Sequence, residues 1–225
     1  MSADKKKKTA KFLGFIIIVF AIIGVVMLIV SISGNIKAKK NDTSADYLKY
    51  QKMLVPVVMN DIDEFDDVTK ANMSQLVEAS LWSILKGDIN TDDYASEDGS
   101  LLIPATVVEK QFVKLFGNDV IIKHGTVSTI AFEFEYDSNN QVYKVPITGV
   151  DPIYTPHVLD KTDKSNTIIL TVAYLSGSEW EQDEYGSFVA PAPSKYVKVT
   201  LRRNKDKSYY IFAIQPTSAP ETISK

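Results

Sequence analysis

Acid-base or metal chemistry would fall first to the two histidines, His124 in KHGT and His157 in YTPHV. Neither has the helical i, i+4 partner of a zinc helix, so both read as surface or turn histidines. Ser83 and Lys86, in SILK, stand one helical turn apart, the spacing at which a lysine activates a serine nucleophile. The SDN-like and KTG elements that would complete such a site are missing, and the pair reads as a coincidence of helix surface. Asp160 to Lys164, DKTDK, lacks the glycine of a phosphorylated-aspartate loop. Asp88, Asn90 and Asp92 offer oxygens at positions 1, 3 and 5 of a calcium loop, but Asp93 stands where that loop needs glycine and Gly99 where it needs glutamate. Solvated acidic loops are the expectation here and in DIDEFDD (61–67); a weak surface calcium site is the alternative. With no cysteine, thiol chemistry and disulfides are excluded. The inventory predicts no catalytic residue, no metal and no cofactor.

A different kind of site is written in the connection from Ser176 to Ser194, SGSEWEQDEYGSFVAPAPS, which is long for a loop of a compact domain. Trp180, Tyr185 and Phe188 are spaced among acids there, and PAP favours an extended exit. Aromatic anchors among polar residues suit a partner-binding surface. The competing expectation is that the rings fold back onto the domain.

The elements that must position these residues follow from periodicity. Tyr47, Tyr50, Leu54, Val57 and Val58 recur at helical spacing, with Pro56 expected to kink or end the helix. Met73, Leu76, Val77, Leu81, Ile84 and Leu85 mark a second helix stopped near Gly87, and Val108, Phe112, Leu115 and Phe116 a third, opened by Pro104 and closed by Gly117. Beyond Gly117 the period changes to two: Ile130, Phe132, Phe134 and Tyr136 alternate with Thr129, Ala131, Glu133 and Glu135, and DSNN turns the chain into VYKVPI. Residues 167–175, 196–203 and 209–214 supply three more strands. Three helices followed by about five antiparallel strands predict an α+β domain, a curved sheet wrapped on a helical layer.

That order of elements resembles the nuclear-transport-factor-2-like superfamily, a cone-shaped α+β fold, over Tyr47 to Ile214. The resemblance is carried by FVKLFG (Phe112 to Gly117) and by IAFEFEY (Ile130 to Tyr136). Cystatin-like domains share such a cone. The resemblance implies fold and layout rather than a catalytic motif. One subgroup, the scaffold subunits of type IV secretion and conjugation machines, combines a short cytoplasmic tail, one span and an exported cone. It further implies an alternative role, a receptor-like domain holding a small molecule in an apolar mouth, or less readily a small enzyme using pocket carboxylates.

The first forty residues address the chain. Phe12 to Ile32 is a run of 21 residues without a charge, long enough as a helix to cross roughly 30 Å of hydrocarbon. It exceeds the apolar core of a signal peptide, and SISGNIKAKK is a poor cleavage site. Lys5, Lys6, Lys7, Lys8 and Lys11 precede it, against Lys37, Lys39 and Lys40 after it, which favours a cytoplasmic N-terminus. The expected organisation is a lysine-rich tail (1–11), a span (12–32), a stalk (33–44), an extracytoplasmic domain (45–216) and a C-terminal tail (217–225). After residue 40 there are 17 basic and 27 acidic residues, ten net negative charges, which excludes nucleic acid as a partner. Two arginines against 23 lysines point to an AT-rich, low-GC bacterium. The expected partners are the bilayer and other envelope proteins, the latter bound in a non-enzymatic scaffold or accessory role.

Overall fold

The computed structural model describes residues 43–87, 89–129, 132–147 and 150–220. The tail, the expected span and most of the stalk lie outside the described residues. No helix among the described residues is long and apolar enough to cross a membrane. The chain divides into two compact units, a large one of Lys49–Ser178 with Ala192–Lys225 and a small one of Met1–Leu48 with Glu179–Pro191.

The α+β class holds. Among the described residues three α-helices, α1 (Thr43–Val58), α2 (Met73–Leu85) and α3 (Ala105–Phe116), accompany eleven antiparallel strands. Five of these, β1 (Ser96–Glu97), β2 (Ser100–Pro104), β3 (Val127–Ser128), β4 (Glu133–Asp137) and β5 (Val142–Pro146), form one sheet in the order β1-β2-β5-β4-β3. Four longer ones, β6 (Tyr154–Lys164), β7 (Thr167–Ser176), β10 (Pro193–Arg203) and β11 (Tyr209–Thr217), form a second in the order β11-β10-β7-β6. The short strands β8 (Glu181–Gln182) and β9 (Phe188–Val189) pair with each other.

Helix α2 starts where Asn72 caps it, its side chain accepting the Ser74 N–H, and stops at Leu85, two residues before Gly87. A Cβ on Gly87 would lie 2.3 Å from the Ser83 carbonyl oxygen, so glycine is required there. Its predicted face is the buried one: Leu76, Val77, Leu81 and Ile84 are all closed to solvent. Trp82 lies against Phe134 edge-on, centroids 5.5 Å apart, and tilts against Phe132 at 6.0 Å. Val108 of α3, Ile103 of β2, and Tyr143 and Val145 of β5 complete this core. Under the four-stranded sheet a second set, Leu170, Val172, Val197, Val199 and Leu201, alternates inward at period two.

Three expectations are corrected and one is narrowed. Pro56 does not end α1, which runs two residues past it to Val58; the helical bond it forgoes is to the carbonyl of exposed Lys52. Strands β1 and β2 precede α3 where a polar loop was expected. Asp98 and Gly99, both at positive φ, make the tight turn between them, and such an Asp-Gly pair is itself a hairpin signal. Strand β6 was missed altogether, because Pro156 and the charged DKTDK hide its alternation. It is an edge strand, where a proline without an N–H is tolerated. His157 therefore lies in a strand, paired with Ala173, and not in a turn. Finally, the 176–194 connection is not irregular throughout but contains the β8–β9 hairpin.

The edge strand is closed by a side chain. Strand β6 bulges between Val158 and Asp160, and the Val158 N–H is taken by Gln51 Oε1 of α1 at 3.0 Å. At the other end of the sheet, Phe65 and Ile214 exchange backbone hydrogen bonds.

Gly117, at φ 77°, sets the passage from α3 toward the strands, and a Cβ there would sit 2.7 Å from the Tyr210 ring. That ring cannot swing away, since its hydroxyl donates to Asp119 at 2.7 Å. Gly117→Ala is expected to cost roughly 1–3 kcal/mol through backbone strain and overpacking. In urea denaturation of the full chain this should appear as a lower midpoint at unchanged slope.

Candidate functional site

The three aromatic residues singled out above fall on the β8–β9 hairpin. Its tip is built by one carboxylate: Asp183 accepts the N–H groups of Tyr185 at 2.9 Å and Ser187 at 2.8 Å. Its own N–H reaches the Ser187 carbonyl, and its carbonyl takes the N–H of Gly186, which sits at φ 77°. Tyr185 is thereby fixed at the tip, 84% exposed, while Phe188 and Val189 on the returning strand are 41% and 47% exposed. Trp180, just before β8, is half-buried. Pairing puts Glu181 opposite Val189 and Gln182 opposite Phe188. Glu179, Glu181, Val189, Ala190 and Pro191 line an open cleft of about 330 Å³ along the hairpin. No Lys or Arg occurs between Lys164 and Lys195, so Glu179, Glu181, Asp183 and Glu184 leave this segment with four uncompensated charges in sequence. A cationic, partly apolar surface is its electrostatic complement.

The other candidates disperse. Ser83 donates its hydroxyl to the Ser80 carbonyl, and Lys86, past the end of α2, lies 5.9 Å from the Trp82 ring centre. Asp88 lies outside the described residues; Asn90 accepts the Asp92 N–H in a local turn. Within DIDEFDD, Asp67 caps the 3-10 turn Val68–Lys70, Asp66 accepts from Gln215, and Asp61 pairs with Lys195 at 2.5 Å. Among the described residues no group of three or more potential ligands converges. DKTDK is the exposed end of β6. Burial alone pushes the His157 imidazole below its ordinary value.

The structure assembles one constellation that no local pattern announces. His124 Nε2 meets Glu109 Oε1 of α3 at 3.0 Å, and its Nδ1 meets the Tyr143 hydroxyl of β5 at 3.0 Å. The imidazole stacks on Tyr136, centroids 5.2 Å apart at 19°. The Tyr143 oxygen also takes a hydrogen bond from the Gly125 backbone N–H. Burial pushes the Tyr143 phenol up to about 12, so it stays protonated. This chain of three groups joins α3, the segment 118–126 and β5; Tyr143 is closed to solvent, while the His124 and Glu109 side chains are 17% and 47% exposed. Its members are 15 and 19 residues apart, beyond the reach of any periodicity argument.

A second buried polar group sits on α2. Glu78 accepts from Asn60 Nδ2 at 2.9 Å, and burial raises its carboxyl above the ordinary value of 4.5 despite that bond.

Two outcomes are expected. Tyr143→Phe should cost roughly 0.5–1.5 kcal/mol in urea denaturation, the worth of one hydrogen bond. Glu78 holds its proton more tightly folded than unfolded. Its contribution to stability is therefore greatest below the unfolded value and is lost as pH rises to the folded one. Glu78→Gln should remove that decline, so the variant gains on the parent across that interval in thermal melts and by a constant amount above it.

Comparison of the chain with family models, with curated proteins and with solved structures finds no match.

Proposed function

We propose that this protein is a membrane-tethered, extracytoplasmic binding domain of a bacterial cell envelope. It acts without catalysis, as a scaffold or accessory subunit of a secretion-type assembly, and it engages protein partners through the β8–β9 hairpin. The observation that carries the reading is the exposure of Tyr185, Phe188 and Val189 on a hairpin whose tip is locked by Asp183. Exposed rings on a preordered loop lose little conformational freedom on binding, which is where affinity is gained. The 21-residue apolar run at 12–32 supports the tether. Tethering raises the local concentration of partners in the same membrane. The α+β class, three helices with antiparallel sheets, supports the resemblance to cone-shaped scaffold subunits.

The carboxylates of the hairpin give the partner its chemistry. Glu179, Glu181 and Glu184 would flank a protein surface carrying lysine or arginine around an apolar socket.

Crosslinking the full chain in its native membrane, followed by mass spectrometry of what is recovered, tests the reading. One recurrent set of envelope proteins is expected, lost in the variant with Trp180, Tyr185 and Phe188 all changed to alanine. Tyr185→Ala with Phe188→Ala should reproduce most of that loss while leaving stability within about 0.5 kcal/mol, as for exposed positions generally. Association should weaken as salt is raised. Recovery of the chain alone, or undiminished recovery with the variants, would sink the proposal.

A further inference from the structure

At the far end of the four-stranded sheet the chain has built an aromatic cage and filled it with its own lysine. The Lys195 ammonium lies 4.9 Å from the ring centre of Tyr174 and 5.9 Å from that of Tyr154, within the range of a cation–π contact for both. The two rings incline at 51° with centroids 5.7 Å apart, forming two walls. Asp61 closes the third side, its Oδ1 at 2.5 Å from the ammonium. The carboxylate is placed by an unusual backbone. Asp61 is at φ 52°, a left-handed conformation just past the end of α1, held by its N–H to the Val58 carbonyl.

We propose that Tyr154, Tyr174 and Asp61 form a recognition site for an alkylammonium group, and that Lys195 is its tethered, displaceable occupant. Three observations carry this, all independent of the hairpin reading. The set of groups, two ring faces and a carboxylate, is the one that recognises substituted ammonium ions. The site is reachable, because the Lys195 and Asp61 side chains are each about one-third exposed, at 33% and 32%. The cage also demands a cation when Lys195 withdraws, since Asp61 Oδ1 is itself shut off from solvent and Glu64 adds a second negative charge close to Tyr174.

The occupant has room to leave. Lys195 follows a bulge, where β10 slips register against β7 between Pro193 and Lys195. Lys195 pairs directly with Tyr174 across the two strands, and the Tyr174 ring that it covers is itself buried.

The probe is tetramethylammonium chloride, titrated into the full chain in a maltoside micelle with lysine labelled at Cε, with sodium chloride at equal ionic strength as the control. In the parent, the Lys195 ε-methylene signal should start displaced by the tyrosine rings and move saturably toward the free-lysine position. Lys195→Met, which empties the cage of charge while keeping its bulk, should bind the probe about tenfold more tightly by calorimetry, as expected when a competing occupant is removed. Adding Tyr154→Ala or Asp61→Asn should abolish that binding. A parent signal unmoved up to roughly 100 mM probe would overturn the proposal, that concentration being far weaker than any useful affinity. So would a folded Lys195→Met chain that binds no tighter than the parent. If Lys195→Met does not fold, the parent titration decides alone. None of these readouts depends on envelope partners, so failure here and failure of the hairpin proposal are separate results.

Discussion

Trp82 has no exposed surface to speak of, and its contacts with Phe134 and Phe132 are where α2 meets the five-stranded sheet. In a chain without cysteine this packing must supply what disulfides supply in many exported domains. Large rings bury the most apolar area per residue, and the edge-on geometry adds a directional preference that fixes the helix on the sheet. Truncating such a residue typically costs ~3–5 kcal/mol, a large part of a domain's net stability. The neighbouring Glu109–His124–Tyr143 chain then works as a polar clasp on the same layers. It ties α3 to β5 where apolar packing alone would leave the loop before β3 unanchored.

What the sequence made legible was whatever is local. The faces of α2 and α3 and the inward alternation of β7 and β10 needed only spacing, because burying one side of a helix or strand imposes a period that neighbouring residues record. The edge strand β6 was illegible for the opposite reason. An edge is half solvated, takes a proline and accepts charges, so its residues look like a loop. The β1–β2 hairpin was readable from Asp98-Gly99 but was masked by the acids around it. At the sites the limit is non-locality. Nothing near His124 names Glu109 or Tyr143, and nothing near Lys195 names Asp61. The hairpin aromatics were visible as residues, whereas the role of Asp183 in locking the tip requires coordinates.

The charges are arranged with more discrimination than the total suggests. Several acids are spent on backbone geometry: Asp67, Asp137, Asp183 and Asp206 each accept neighbouring N–H groups in turns. Hydrogen bonds from those turns hold the Asp67, Asp137 and Asp206 carboxyls below the usual range, so they remain anionic in mildly acidic surroundings. Glu179, Glu181 and Glu184 are exposed residues. The hairpin segment thus carries its acids beside its exposed rings, and their field acts where those rings are.

The bond from Gln51 to the bulged Val158 N–H closes a sheet edge, and it also defines how the domain would carry load. In a chain held at its N-terminal end, a pull enters the domain through α1 and must pass to the sheet. The buried residues Leu54, Val57 and Val58 would meet that pull as a distributed resistance, sliding against the strands. The Gln51–Val158 bond is instead a discrete link between helix and strand edge, and it would register displacement before the apolar contacts part. Losing it would uncover an unpaired backbone N–H on β6, a place where another strand can add. In such a chain the same amide would couple strain entering through α1 to the availability of a pairing edge.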